Sequence, residues 1–106
     1  MLKAVFYRHD GSLTGFSVSG HAGYGHEGTD IVCAAVSSAV MLVCNTVTDF
    51  FKADADVSVE ENRMTLRLKK ENDAAEKLLE SFYAHMEMIA EEHSKVKLET
   101  HETGGK

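Results

Sequence analysis

The sequence predicts an α+β fold in two layers: one mixed or antiparallel sheet of about five strands, with two helices on one face, in the order ββαββαβ. Three observations carry that reading. Residues 2–19, 57–69 and 96–100 contain short runs in which apolar and polar residues alternate, the period of a half-buried strand. Two longer stretches, 31–51 and 73–92, place apolar residues at helical spacing. The chain has 106 residues, 43% hydrophobic and 26% charged, which is the size and composition of one globular domain spanning 1–106.

The elements follow in order. Residues 2–8 alternate, with Leu2, Ala4 and Phe6 on one face and Lys3, Val5 and Tyr7 on the other. Asp10-Gly11 then signals a hairpin, because both residues tolerate positive φ. Residues 13–19 form the return strand, anchored by Phe16 and Val18. Residues 20–29 carry Gly20, Gly23, Gly25 and Gly28, too many glycines for a helix or strand interior, so this segment reads as a loop. Thr29 or Asp30 can cap a helix starting near Ile31 and ending near Phe51. That helix is apolar on nearly every side, which predicts burial all round, between the sheet and something else. Residues 57–60 and 64–69 make a second hairpin turning at Glu61-Asn62. Asp73 with Glu76 resembles a capping box for the second helix, whose stripe runs through Leu78, Leu79, Phe82, Met86 and Ile89. Val96, Leu98 and Thr100 close the sheet, and residues 103–106 are expected to fray.

Charge narrows the partners. Asp and Glu outnumber Lys and Arg by 17 to 11, for a formal charge of -6. No dense basic block is present, which argues against direct nucleic-acid binding and suits a basic protein partner better. The first ten residues are too short and too alternating for a signal peptide. The longest apolar run, 31–43, is broken by serines and falls short of the roughly 20 residues of a membrane span. A cytoplasmic protein without a membrane segment is the expectation. Cys33 and Cys44, on one helix, would stand roughly 16 Å apart, beyond disulfide reach.

The chemistry-bearing pair is Cys33 and His21. A thiol in the first turn of a helix meets unpaired backbone N–H groups and the positive end of the dipole, which stabilise a thiolate. The glycine loop can fold back and bring His21 to it, giving a nucleophile beside a base, and N–H groups at the helix start could hold an oxyanion. Spacing alone leaves the alternative open that Cys33 is a small buried core residue. Cys44, mid-helix and away from any polar loop, reads as core packing. His9, His85, His93 and His101 read as surface or strand-end residues. A zinc site of His21, His26, Asp30 and Cys33 has plausible ligand types but no standard spacing and no second thiolate. A phosphate loop lacks the GxxxxGK[ST] pattern and any cation between Arg8 and Lys52.

The words Gly20-His21-Ala22-Gly23 and Asp30-Ile31-Val32-Cys33-Ala34-Ala35-Val36-Ser37 resemble the signature of the Prp family, the ribosomal-processing cysteine proteases. The resemblance implies a Cys–His endopeptidase that removes a short N-terminal extension from large-subunit ribosomal protein twenty-seven, with Cys33 as nucleophile, His21 as base and no metal or cofactor. Asp30 and Ser37 match the pattern without an assigned role. From the residues themselves, Asp30 caps the helix, with orientation of His21 the lesser alternative. Tyr24, in the loop that would close over an extended peptide, is a candidate to pack on the aromatic residues of such a substrate. Tyr24, Asp30 and Ser37 are thus the candidate substrate-binding residues. The excess apolar surface of the first helix predicts a homodimer. A non-enzymatic or metal-binding module that docks on a ribosomal protein is the alternative function.

Overall fold

The computed structural model describes residues 1–20 and 27–102. The loop positions 21–26, and with them His21, Tyr24, His26 and the expected lid, lie outside the described residues, as does the tail 103–106. The elements are β1 (Leu2–His9), β2 (Ser12–Gly20), α1 (Glu27–Asn45) continued by a π-helical turn (Thr46–Phe50), β3 (Ala55–Glu60), β4 (Arg63–Leu68), α2 (Asp73–Glu92) and β5 (Val96–Glu102). This is the expected ββαββαβ order.

One five-stranded sheet has the order β3-β4-β2-β1-β5. It is mixed: β5 joins β1 in parallel, and every other pairing is antiparallel. The β1–β2 hairpin turns on Asp10 at φ 53° and Gly11 at φ 85°, the paired positive φ that matches the strand twist. Register lines up Phe6 with Phe16 and Leu66, and Ala4 with Val18 and Met64, so one face of the sheet is apolar. Both helices cover that face. Val36, Val40, Val43 and Val47 from the first, and Ala75, Leu79, Phe82 and Met86 from the second, join one buried cluster with it. At its centre Phe82 lies 5.5 Å from Phe6 and 5.0 Å from Phe16, and Tyr83 meets Phe6 edge-on at 5.0 Å. These tilted and edge-on contacts are the geometry that the ring quadrupoles favour. Gly15 is buried between strands: a β-carbon there would stand 2.3 Å from the Leu66 carbonyl oxygen.

Three local expectations need correction, and the end of the first helix gains detail. First, α1 starts at Glu27 rather than near Ile31, so Glu27, Gly28 and Thr29 belong to the helix and Asp30 is its fourth residue rather than its cap. A glycine in the first turn interrupts little of the hydrogen-bond ladder. Second, α1 is buried on one side only. Ile31 is 70% exposed and Leu42 67%, because two helices share one face of the sheet and no third layer covers them among the described residues. The helical run Ile31–Phe50 has the length and apolarity of a membrane span, yet its inner face packs on the sheet. The helical run ends at Phe50, close to the expected Phe51, with its last residues relaxed into a π turn. Phe51 N–H reaches the Thr46 carbonyl at 2.9 Å, and the Thr46 and Thr48 hydroxyls donate to the carbonyls of Leu42 and Cys44. Lys52, at φ 54°, then ends the helix. Third, the cap of α2 is Asn72, one residue before Asp73: its Oδ1 accepts from Ala75 N–H at 2.9 Å, and Glu76 accepts from Asn72 N–H at 3.3 Å. Asparagine is among the strongest N-cap residues, and Glu76 still reaches back as a capping-box acid does.

Candidate active site

A groove of about 310 Å³ runs between α1 and the β3–β4 hairpin. One wall is a helical stripe at i, i+4 and i+8: Cys33, Ser37 and Met41. The other wall is the hairpin, with Val59 and Met64 near its ends and Glu61 and Asn62 at the turn. Leu2, Val18 and Gly20 form the floor. The sheet order dictates this meeting. β4 pairs with β2, so the β3–β4 turn arrives beside the last residue of β2, and Gly20 N–H donates to the Asn62 carbonyl at 2.9 Å. Gly20 takes φ 83°, and a β-carbon on it would lie 2.3 Å from the Met1 carbonyl oxygen. Only a residue without a side chain lets β2 turn away from the sheet at this point.

The two thiols differ sharply. Neither is in a disulfide. Cys33 is partly buried and opens onto the groove. Cys44 is 6% exposed among core residues, and burial pushes its pKa up to about 11. At neutral pH Cys44 is a neutral thiol with no route to a substrate, as expected for core packing. Cys33 is the seventh residue of α1 and not, as expected, in the first turn. Its own N–H therefore belongs to the helical ladder. The field of the helix end fades within its first turn, and Cys33 stands beyond that turn.

Of the residues singled out by the sequence, Cys33 and Ser37 share the groove. Asp30 stands three positions before Cys33 on the same helix; its side chain, like His21 and Tyr24, lies outside the described residues. Among the described residues no three His, Cys, Asp or Glu side chains cluster to hold a metal. The zinc set considered above includes His21 and His26, outside that description. The hairpin wall, with Val59, Asn62 and Met64, went unrecognised in the sequence. These residues reach Cys33 only through the pairing of β4 with β2, and no local pattern announces that pairing.

Comparison with known proteins places this geometry. The sequence model of the family described as cysteine protease Prp matches residues 1–97. The ribosomal processing cysteine protease Prp of Staphylococcus aureus is 26% identical over 88 residues, covering 80% of this chain and 83% of that protein. The crystal structure of SMU.848 from Streptococcus mutans superposes with a TM-score of 0.86 at 28% identity, covering 97% of this chain and 96% of that one. The structure of the S. aureus ribosomal processing protease Prp with a covalently linked product peptide gives a TM-score of 0.83 at 25% identity, covering 94% and 99%.

Proposed function

Because the chain belongs to the cysteine protease Prp family, we propose that it is a ribosomal-processing endopeptidase in which Cys33 is the nucleophile and His21 the general base. The observation that carries this assignment is the shared groove. Gly20, the residue immediately before His21, lines it together with Cys33. Consecutive Cα atoms are about 3.8 Å apart, so His21 begins within one residue of the groove that holds the thiol. A base there removes the Cys33 proton, the thiolate attacks the scissile carbonyl, and the imidazolium returns the proton to the leaving amine.

The substrate we propose is the N-terminal extension of large-subunit ribosomal protein twenty-seven, in keeping with the family resemblance. A relative that holds a covalently linked product peptide supports a peptide substrate. The groove suits an extended chain, with an apolar bed of Val18, Met41 and Met64 and an open hairpin on one side. Ser37, one turn from Cys33, touches the peptide, and Tyr24 packs against its aromatic residues. Asp30 acts on the same site from its place in α1. The acidic protein attracts the basic body of the ribosomal protein. The enzyme acts in the cytoplasm and needs no cofactor.

The test is incubation with the extended ribosomal protein, read by the mass of the product. Cys33→Ala and His21→Ala should each abolish cleavage with the fold intact, and Cys44→Ala should cleave at close to the normal rate. Full activity in Cys33→Ala would refute the assignment and favour a docking module without catalysis.

The enzyme works as a homodimer in this reading. Ile31, Ala34, Ala35, Leu42 and, beyond them, Phe50 at 79% exposure form an apolar stripe along the outer side of α1. A second copy of the chain offers the same stripe in return. Sedimentation at micromolar concentration reads the association state directly.

A further inference from the structure

The two edge strands of the sheet, β3 and β5, are finished differently. On β5, Val96 is in the core, Leu98 packs against it, and Glu99 is held by Lys3 at 3.2 Å and by His101 at 3.1 Å. On β3, Val57 is 39% exposed and Val59 65%, although both stand on the same side of the sheet as their partners Leu66 and Met64. Among the described residues the helical layer leaves these two valines largely uncovered.

The backbone of β3 is open as well. Lys69 N–H donates to the Asp54 carbonyl, so Asp54 turns its polar groups toward β4. In an antiparallel ladder that direction alternates along the strand. Asp56, Ser58 and Glu60 therefore bond to β4, and the N–H and C=O groups of Val57 and Val59 point out from the sheet edge, where no described strand meets them. Side chains alternate too, which puts Asp56 and Glu60 on the face opposite the two valines. Their cationic neighbours, Arg63 and Arg67, stand one strand further in, and Lys69 meets Asp56 at 3.6 Å in solvent, a contact of little strength.

A second copy of β3 fits this edge poorly. Outward-facing residues must meet outward-facing residues. Setting Val57 opposite Val59 brings Asp56 against Glu60, and setting Val57 opposite Val57 brings Asp54 against Glu60. Like charges directly opposite each other destabilise a strand pair. A strand that alternates apolar and basic side chains meets valine on one face and carboxylate on the other.

We propose that β3 is a docking edge for the substrate: a basic, extended segment near the scissile bond joins the sheet as a sixth strand. It bonds to the outward groups of Val57 and Val59 and sets lysine or arginine side chains beside Asp56 and Glu60. This deepens the reading of the chain as an endopeptidase and rests on it. Val59 and Glu60 also line the groove that Cys33 lines, so edge and groove form one continuous surface. In strand addition the main-chain bonds give affinity and the side chains give selectivity.

The test is residue-resolved amide exchange on Cys33→Ala, with and without a synthetic peptide spanning the extension, the cleavage site and the basic residues beyond it. In the free protein the Val57 and Val59 amides should exchange fast and Ser58, bonded to β4, slowly. Saturating peptide should slow Val57 and Val59 on the order of 10-fold and leave Ser58 unchanged. In cleavage assays the double variant Asp56→Lys/Glu60→Lys should raise KM on the order of 10-fold with kcat nearly constant. A peptide with glutamate in place of its basic residues should restore KM in that variant, which a merely structural role for the two acids would not produce. Val57 and Val59 amides that stay fast while the peptide perturbs groove residues overturn the docking edge and leave the protease reading intact. A KM within about twofold of wild type in the double variant also overturns it, as does protection of the two amides that grows with protein concentration in the absence of peptide. Cleavage by Cys33→Ala, or none by wild type, would instead strike at the endopeptidase assignment itself.

Discussion

Two residues show how much a single position decides. At Gly15 the β2 backbone approaches β4 so closely that a β-carbon would collide with the Leu66 carbonyl. At Cys44 the same closeness acts on a proton. Burial raises its pKa from 9.0 to about 11. The unfolded chain ionises this thiol first as pH rises, and the folded chain keeps it neutral. The stability linked to Cys44 is therefore complete below pH 9 and declines from there to about pH 11. Urea unfolding at pH 8 and pH 10.5 should show a smaller drop in stability for Cys44→Ala than for wild type. An identical drop in both would mean that other groups account for all of it. In the sequence, the contrast between the two thiols was legible because Cys44 sits mid-helix in an apolar run. The position of Cys33 relative to the helix start was not. Glu27-Gly28-Thr29-Asp30 carries loop-forming and helix-starting residues together, and the choice between them depends on the whole helix docking on the sheet.

At the scale of elements, periodicity located both hairpins and both helices, because β1, β2, β4 and α2 record their buried faces in alternating or helical patterns. It failed at α1, where apolar residues occupy both the inner and outer sides. Pattern alone does not distinguish a helix enclosed in its own chain from one covered by another copy. The structure separates the two sides: Val36, Val40 and Val43 are in the core, and Ile31 and Leu42 are outside. Leu42→Glu should then leave the fold intact, since the side chain is 67% exposed, and should turn the homodimer proposed above into a monomer in sedimentation. A variant that stays dimeric would place the interface elsewhere. Asn72 shows the opposite case, in which chemistry outweighs pattern. The cap falls on the residue whose carboxamide reaches Ala75 N–H, and replacing it with alanine should cost about 1 kcal/mol in denaturant unfolding.

For the whole molecule, topology builds the site. No local feature of the sequence announces that β4 lies beside β2, or that β5 returns in parallel to β1. Yet the first pairing sets Asn62 against Gly20, and so shapes the groove that Cys33 faces. The parallel pairing has a different result. Leu2 aligns with Val96 and Arg8 with Glu102, so the two strands start together at the end of the sheet where Leu2 lines the groove. β5 finishes at the other end, roughly 20 Å away at 3.3 Å per residue.

That arrangement matters for handling the protein at the bench. The Met1 carbonyl stands over Gly20, so anything fused ahead of Met1 leaves the fold at the mouth of the groove that Cys33 lines. An affinity tag joined there is held at high local concentration beside Cys33 and acts as a tethered competitor. A tag added on the C-terminal side follows β5, whose last residue, Glu102, is at the far end of the sheet. The N-terminally tagged enzyme should show a raised apparent KM that returns to normal when the tag is cut off, and the C-terminally tagged enzyme should match the untagged one. Assays that rely on an N-terminal tag would then understate how well this enzyme recognises its substrate.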